Sequence, residues 1–216
     1  KELKMERNTL IIGAGNLGSA IAYGYESFIN SNKEYIYIYD INQNKKNYFK
    51  KSKHIIFVKD LSIILKKSKC IIMAVKPKDY KDVCKIIKED LNKDALVLSV
   101  MAGVKLKSLK KELPYNTKFV RLMTNLNIKI FQGSSVIYAN KEVKNIDKKR
   151  IENYWSSLGT VHWLKTESKI DKFTALIGSG PAYLIYFCEC LVMVFKNFGL
   201  TEKDAVMHVQ QLLLGA

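Results

Sequence analysis

The sequence predicts an α/β fold: a doubly wound, mostly parallel sheet followed by an all-α segment. Three observations lead there. Short β-branched and aromatic runs alternate with helical patterns from residue 10 to residue 164, as in successive strand–helix–strand units. A glycine turn, Gly13-Ala14-Gly15-Asn16-Leu17-Gly18, joins the first apolar run to the first helix. Beyond residue 165 the strand signals stop, and residues 170–177 and 182–198 are apolar around most of their circumference. Helices of that kind must be covered by another surface. With so little chain left to cover them, the expected surface is a second subunit.

Leu10-Ile11-Ile12 reads as a buried first strand, and Ser19-Ala20-Ile21-Ala22 as the helix beyond the glycines. In this setting each glycine has a separate role. Gly13 permits a sharp turn, Gly15 lets the backbone approach a pyrophosphate, and Gly18 lets the helix pack close to the strand. The helix N-terminus adds unpaired N–H groups and a partial positive charge for the phosphates. The setting therefore predicts a dinucleotide site of the Rossmann type; the plainer alternative is a structural turn that binds nothing.

Residues 34–40 form a β-branched and aromatic second strand, and the polar residues 42–51 a short helix. A third strand is expected at 55–58, a helix at 61–67, and a continuous apolar strand at 70–75, as for a strand covered on both faces. Residues 79–91 carry Val83, Ile86, Ile87 and Leu91 at helical spacing. A fifth strand follows at 95–100, a helix at 105–113 ended by Pro114, and a sixth strand at 117–122. Residues 134–139, a polar helix at 143–158 and a strand at 160–164 complete the first domain, assigned to residues 1–165. The helical domain is assigned to residues 166–216. Gly199 is a good helix C-cap, and Thr201-Glu202-Lys203-Asp204 a good start for the last helix. That helix runs to Ala216 without a cap, which is the pattern expected of a chain cut within a helix.

Hydrophobic residues make up 48% of the 216 residues, enough for a sizeable core. No uninterrupted apolar run approaches the ~18 residues of a membrane span, and the N-terminus lacks a signal-like apolar stretch, so no membrane partner is expected. The net charge is +16, but only three of the 36 basic residues are arginine (Arg7, Arg121, Arg150). The lysines are spread through every segment, without the arginine forks and interleaved aromatics of a base-reading surface. This argues against a nucleic-acid partner. Cys70, Cys84, Cys188 and Cys190 show no metal-ligand spacing, so no metal site is assigned and reduced thiols in the cytoplasm are expected. His162 lies in a strand-like run beside Trp163 and reads as a packed core histidine.

In doubly wound sheets ligands bind beyond the carboxyl ends of the strands. Asp40 ends the second strand, 22 residues beyond Gly18, where a carboxylate accepts a hydrogen bond from an adenosine ribose and disfavours a 2′-phosphate. Asn42, Gln43, Asn44, Lys45 and Lys46 follow at once, and can cradle that phosphate if Asp40 turns away. At Val75-Lys76-Pro77 the proline takes the chain out of the sheet, leaving a shelf of backbone groups for the second ribose. The small residues of Ser99-Val100-Met101-Ala102-Gly103 leave room for a flat ring such as nicotinamide.

Five motifs, in order and spacing, resemble the pyrroline-5-carboxylate reductase family: Gly13 to Gly18, Ala74-Val75-Lys76-Pro77, Ser99-Val100-Met101-Ala102-Gly103-Val104, Arg121-Leu122-Met123-Thr124-Asn125, and Asp171-Lys172-Phe173-Thr174-Ala175-Leu176-Ile177-Gly178-Ser179-Gly180-Pro181-Ala182-Tyr183. Residues 210–216 resemble the family's following helix. Leu126-Asn127 stand where the family has Thr-Pro. The resemblance implies reduction of Δ1-pyrroline-5-carboxylate to L-proline, the last step of proline biosynthesis, with NADP as cofactor and NAD as the alternative. It implies cofactor contacts at Gly13, Ala14, Gly15, Asn16, Leu17, Gly18, Asp40, Asn42, Ala74, Val75, Lys76, Pro77 and Ala102. It also implies a homodimer, or a ring of dimers, through the C-terminal helices. The family's substrate loop corresponds to sequence beyond Ala216, so no catalytic residue is assigned. The imine is already electrophilic, and the implied catalysis consists mainly of holding two rings about 3–3.5 Å apart. The competing readings are a β-hydroxyacid-type dehydrogenase, with Lys172 in the relevant stretch, and a catalytically silent NAD(P)-binding dimeric subunit.

Overall fold

The computed structural model describes residues 8–29, 35–114 and 116–216. The N-terminal residues 1–7 and Glu34, the first residue of the expected second strand, lie outside them. Among the described residues eight strands occur in chain order: β1 (Thr9–Ile12), β2 (Ile36–Tyr39), β3 (Ile55–Phe57), β4 (Cys70–Met73), β5 (Leu96–Ser99), β6 (Lys118–Met123), β7 (Gly133–Ala139) and β8 (Gly159–Trp163). They form one sheet in the order β3-β2-β1-β4-β5-β6-β7-β8. Every neighbouring pair is parallel except β6 with β7. The strand order reverses direction between β1 and β4, and it is there that a crevice opens beyond the carboxyl ends.

The helices are α1 (Asn16–Glu26), α2 (Ser62–Lys67), α3 (Tyr80–Ile87), α4 (Leu106–Glu112), α5 (Asn145–Ser157), α6 (Ser168–Phe173), α7 (Gly180–Asn197) and α8 (Glu202–Gly215). Because side chains alternate across a strand, β1 feeds both faces of the sheet. Ile11 joins a core with Ile21 of α1 and Ile151 and Trp155 of α5. Leu10 and Ile12 join the opposite core with Leu65 of α2, Ile87 of α3 and Leu109 of α4. Tyr154 ties α5 to α1 by donating its hydroxyl to the Ile21 carbonyl at 2.8 Å. Burial holds that hydroxyl's pKa well above its ordinary value.

The structure departs from the sequence expectations at four places. Residues 42–51 form a 3₁₀ turn, Gln43–Phe49, in which Phe49 alone is buried; the segment lacks the apolar stripe that would hold a longer α-helix. The helix expected at 79–91 is confined to α3, entered through a 3₁₀ turn, Pro77–Asp79. His162 is exposed rather than packed in the core, because β8 is an edge strand whose alternate residues, Thr160 and His162, face outward. Finally, α6, a π-helical turn (Thr174–Gly178) and α7 join into one 30-residue helix, Ser168–Asn197. Its most apolar 18-residue window has a mean hydropathy of 1.5, and none of that window is buried. By length and composition alone this helix is long and apolar enough to cross a membrane. Isolated polar residues such as Glu189 break a run but barely lower a window average.

The helical segment is fastened to the sheet by one buried cation. Arg121, in the interior of β6, is fully buried. Its Nη1 donates to Glu167 Oε1 at 3.1 Å and its Nη2 to Asp171 Oδ1 at 2.5 Å. Glu167 Oε1 also accepts the Leu106 N–H at 2.7 Å, which brings the start of α4 into the same network. Beside it, Ile170 packs with Met123 and Val136. Glu167 and Asp171 keep some exposure while Arg121 has none, so removing the acids and removing the arginine have unequal costs. A doubly substituted Glu167→Ala/Asp171→Ala protein strands a charge in the interior and loses about 3 kcal/mol of stability. Arg121→Met leaves two carboxylates able to turn to water and loses distinctly less. Urea unfolding of the two variants side by side checks the order.

Candidate functional site

The carboxyl edge of β1 is shaped by backbone crowding. Gly13 has φ +107°, a value that L side chains rarely adopt, and a methyl group there would lie 2.5 Å from the Ala74 carbonyl oxygen. A methyl group on Gly18 would lie 1.9 Å from the Gly13 oxygen and 3.3 Å from the Ala74 Cβ. Helix α1 therefore enters against β1 and β4 with no side chain between them. The constraint extends to Ala74, whose small size is part of the same contact. Its N–H donates to the Ile12 carbonyl at 2.8 Å, continuing the β1–β4 ladder past the end of the strand.

Gly15 has a different environment. It is the N-cap of α1, in extended backbone, and a methyl group there would meet nothing within 4 Å. No side chain caps this helix end, whose leading N–H groups lack intrahelical acceptors. Open space over bare backbone, at a helix N-terminus, is the cradle that a diphosphate fills, so the residues present fit a dinucleotide.

Asp40, at the end of β2, does not face this space with free oxygens. It is 8% exposed. Its Oδ2 accepts the Ala14 N–H at 2.8 Å and the Lys45 ammonium at 2.8 Å, and its Oδ1 accepts the Asn42 N–H at 2.9 Å. The Asp40 carbonyl takes the Gln43 amide at 2.9 Å. Burial pushes the Asp40 carboxyl up, but the bonds from Lys45, Asn42 and Ala14 outweigh it, and the pKa falls below its ordinary value. Asn42 in turn caps the 3₁₀ turn by accepting the Asn44 N–H at 3.1 Å. Each oxygen of Asp40 thus accepts at least one hydrogen bond from within the chain.

The remaining expected residues stand along the same edge. Ala74 and Val75 are half-buried, and Lys76 and Pro77 are exposed, with Pro77 opening its 3₁₀ turn. Ala102 is exposed two strands away, beyond β5, between buried Met101 and Gly103 at φ +73°. The turn after β5 is held by Ser99 Oγ, which accepts the Met101 N–H at 3.3 Å. The structure thus gathers Gly13, Ala14, Gly15, Asn16, Leu17, Gly18, Asp40, Asn42 and Ala74 into one cluster, with Val75, Lys76, Pro77 and Ala102 placed further along it.

Two contacts were not foreseen. Lys45, in the 3₁₀ turn, pairs with Asp40 five residues before it. Asn125, after β6, donates to the Ile177 carbonyl at 3.1 Å, inside the π-helical turn. It also accepts the Asn127 N–H at 3.2 Å, and so caps the 3₁₀ turn Leu126–Ile130.

The strand order, glycine turn and trailing helices define a dinucleotide-fold α/β protein with an appended helical segment. Residues 9–103 match the family model described as NADP oxidoreductase coenzyme F420-dependent, and residues 167–216 the one described as pyrroline-5-carboxylate reductase dimerisation. The pyrroline-5-carboxylate reductase of Aquifex aeolicus is 31% identical over 206 residues, covering 95% of this chain and 75% of the relative. That of Methanosarcina acetivorans is 30% identical, covering 95% and 76%. Among solved structures, the Coxiella burnetii pyrroline-5-carboxylate reductase superposes with a TM-score of 0.88 at 29% identity, covering 97% of this chain and 77% of that one. A Plasmodium falciparum pyrroline carboxylate reductase with NADP bound superposes at 0.85 and 26% identity, covering 98% and 78%. The chain belongs to the pyrroline-5-carboxylate reductase family. The long apolar helix Ser168–Asn197 falls within the dimerisation match.

This geometry makes three substitutions informative. Gly18→Ala forces helix from strand and lowers the melting temperature by about 4–12 °C, from about 2–3 kcal/mol of backbone displacement. Gly15→Ala melts near the parent and loses dinucleotide affinity; calorimetry with and without cofactor separates the two. The lowered Asp40 pKa contributes stability above the carboxyl's unfolded pKa, and that stability is lost as pH falls through the folded value. Asp40→Asn therefore flattens the acid limb below pH 3.8 and leaves the neutral-to-alkaline dependence alone, as read from melting temperature against pH.

Proposed function

We propose that this chain reduces Δ1-pyrroline-5-carboxylate to L-proline with NADPH, the last step of proline biosynthesis. The observation that carries the reading is that one chain joins an uncapped, open glycine turn at the sheet's reversal point to the reductase dimerisation segment. We assign residues 1–165 to cofactor binding and 166–216 to dimerisation. NADP is the cofactor: it is bound in the Plasmodium falciparum relative and named by the family model that matches residues 9–103.

In this proposal the backbone from Gly13 to Gly18 receives the diphosphate, and the N-terminus of α1 offsets its charge. Asp40 and Asn42 shape the adenosine end by holding the turn that Ala14 begins. Ala74, Val75, Lys76 and Pro77 form the shelf for the second ribose. Ala102, on the small-residue turn after β5, leaves room for the flat ring. When bound, the reduced cofactor supplies the hydride taken up by the imine carbon. The chain's contribution is to fix the ring and substrate in one geometry, a source of rate enhancement that requires no strong side-chain acid.

The subunits pair, in our reading, as a homodimer through α7 and α8, or as a ring of such dimers. The support is chemical: Tyr183, Leu184, Ile185, Tyr186 and Phe187 are each at least 57% exposed along α7, a continuous apolar surface of the kind that marks interfaces. The four free cysteines support a reducing compartment, and we place the protein in the cytoplasm.

Steady-state NADPH oxidation by the full-length protein, with pyrroline-5-carboxylate as substrate, tests the activity. Turnover that disappears in Gly15→Trp is the expected result. Turnover no greater than that of the Gly15→Trp protein overturns the proposal.

A further inference from the structure

We propose that Lys45 sets the choice between NADPH and NADH by masking the Asp40 carboxylate, an inference that rests on the dinucleotide-binding role proposed above. A carboxylate at the end of the second strand serves NAD when one of its oxygens is free to accept a ribose hydroxyl, and its charge then repels a 2′-phosphate. Asp40 meets both conditions poorly. It is 8% exposed, and its two oxygens already accept three hydrogen bonds, from Ala14, Asn42 and Lys45, so of about four acceptor sites one, on Oδ1, stays unused. Its charge is matched at 2.8 Å by the Lys45 ammonium.

The two backbone donors alone do not neutralise the group. They orient the carboxylate, one oxygen toward the glycine turn and the other toward the 3₁₀ turn, but leave its full negative charge in place. Lys45 offsets that charge with its own. The lysine side chain is 27% exposed against 9% for its partner, so the ammonium stands between the buried carboxylate and the outside. A 2′-phosphate arriving at this edge meets a cation backed by an anion, with Asn42, Gln43, Asn44 and Lys46 exposed around it. The masking role differs from simple phosphate contact. A lysine that only touches phosphate helps NADPH and leaves NADH unchanged, whereas a lysine that masks Asp40 helps NADPH and also withholds an acceptor from NADH.

Calorimetric titration of NADPH and NADH separates these cases without recourse to turnover. The proteins titrated are the parent chain, Lys45→Met, Lys45→Arg and the double variant Asp40→Asn/Lys45→Met. For Lys45→Met, NADPH affinity falls and NADH affinity rises, and their ratio swings by about tenfold or more, the scale of one charge-assisted hydrogen bond. Lys45→Arg keeps the parent ratio. Adding Asp40→Asn to Lys45→Met cancels the gain for NADH and recovers part of the affinity for NADPH. Because each ratio is taken on one protein, a general loss of structure moves both affinities together and leaves it unchanged. Weaker NADPH binding with no gain for NADH, or an unaltered ratio, overturns the masking role while the dinucleotide site stands. Binding of neither cofactor by the parent chain overturns the site and the masking role together.

Discussion

Where β1 meets α1, the distance from Gly18 to the Gly13 carbonyl leaves no space for a methyl group, and Ala74 closes the third side. This three-way contact fixes the entry angle of the first helix. It also fixes which backbone groups face outward, because the chain between the two crowded glycines has one course to follow. Gly15 lies at the crest of that course with open space above it. Steric exclusion on one side of the turn thus produces vacancy on the other. The same crowding holds β4 beside β1, at the position where the sheet's strand order reverses.

Electrostatics completes what packing begins. A turn of bare backbone exposes donors, and Ala14's N–H is taken up by Asp40, so the donors left at the crest are those at the start of α1. Asp40 is itself restrained by Asn42 and Lys45, which ties the end of β2 to the glycine turn and to the 3₁₀ turn at once. On the far side of the sheet Arg121 plays a comparable part, binding the start of α4 and the first helix of the dimerisation segment through Glu167 and Asp171. The π-helical turn that follows is steadied by Asn125. The long apolar helix is therefore anchored at its N-terminal end on the sheet, and α7 keeps an exposed apolar surface.

The alternating strands and helices could be read from the sequence because each strand of a doubly covered sheet is a compact apolar run, such as Cys70-Ile71-Ile72-Met73, bounded by polar or turn residues. The glycine turn was legible for a related reason: Gly13 and Gly18 each answer a separate steric demand, and their spacing encodes both. Short 3₁₀ segments were not legible. Gln43–Phe49 has no periodicity that distinguishes it from one α-helical turn. His162 was misplaced because strand alternation shows which residues share a face but not whether the strand lies at an edge. The Arg121 network joins residues 46 and 50 positions apart, and no local pattern in the sequence marks such a contact.

The account turns on where a bound nucleotide lies, and a crystal structure of the protein grown with NADPH measures that directly. The account predicts the diphosphate over Gly15 at the N-terminus of α1, the 2′-phosphate on the outward side of Lys45, and Asp40 still accepting from Ala14. A diphosphate bound away from the glycine turn, or an Asp40 carboxylate swung out to the ribose, would contradict it.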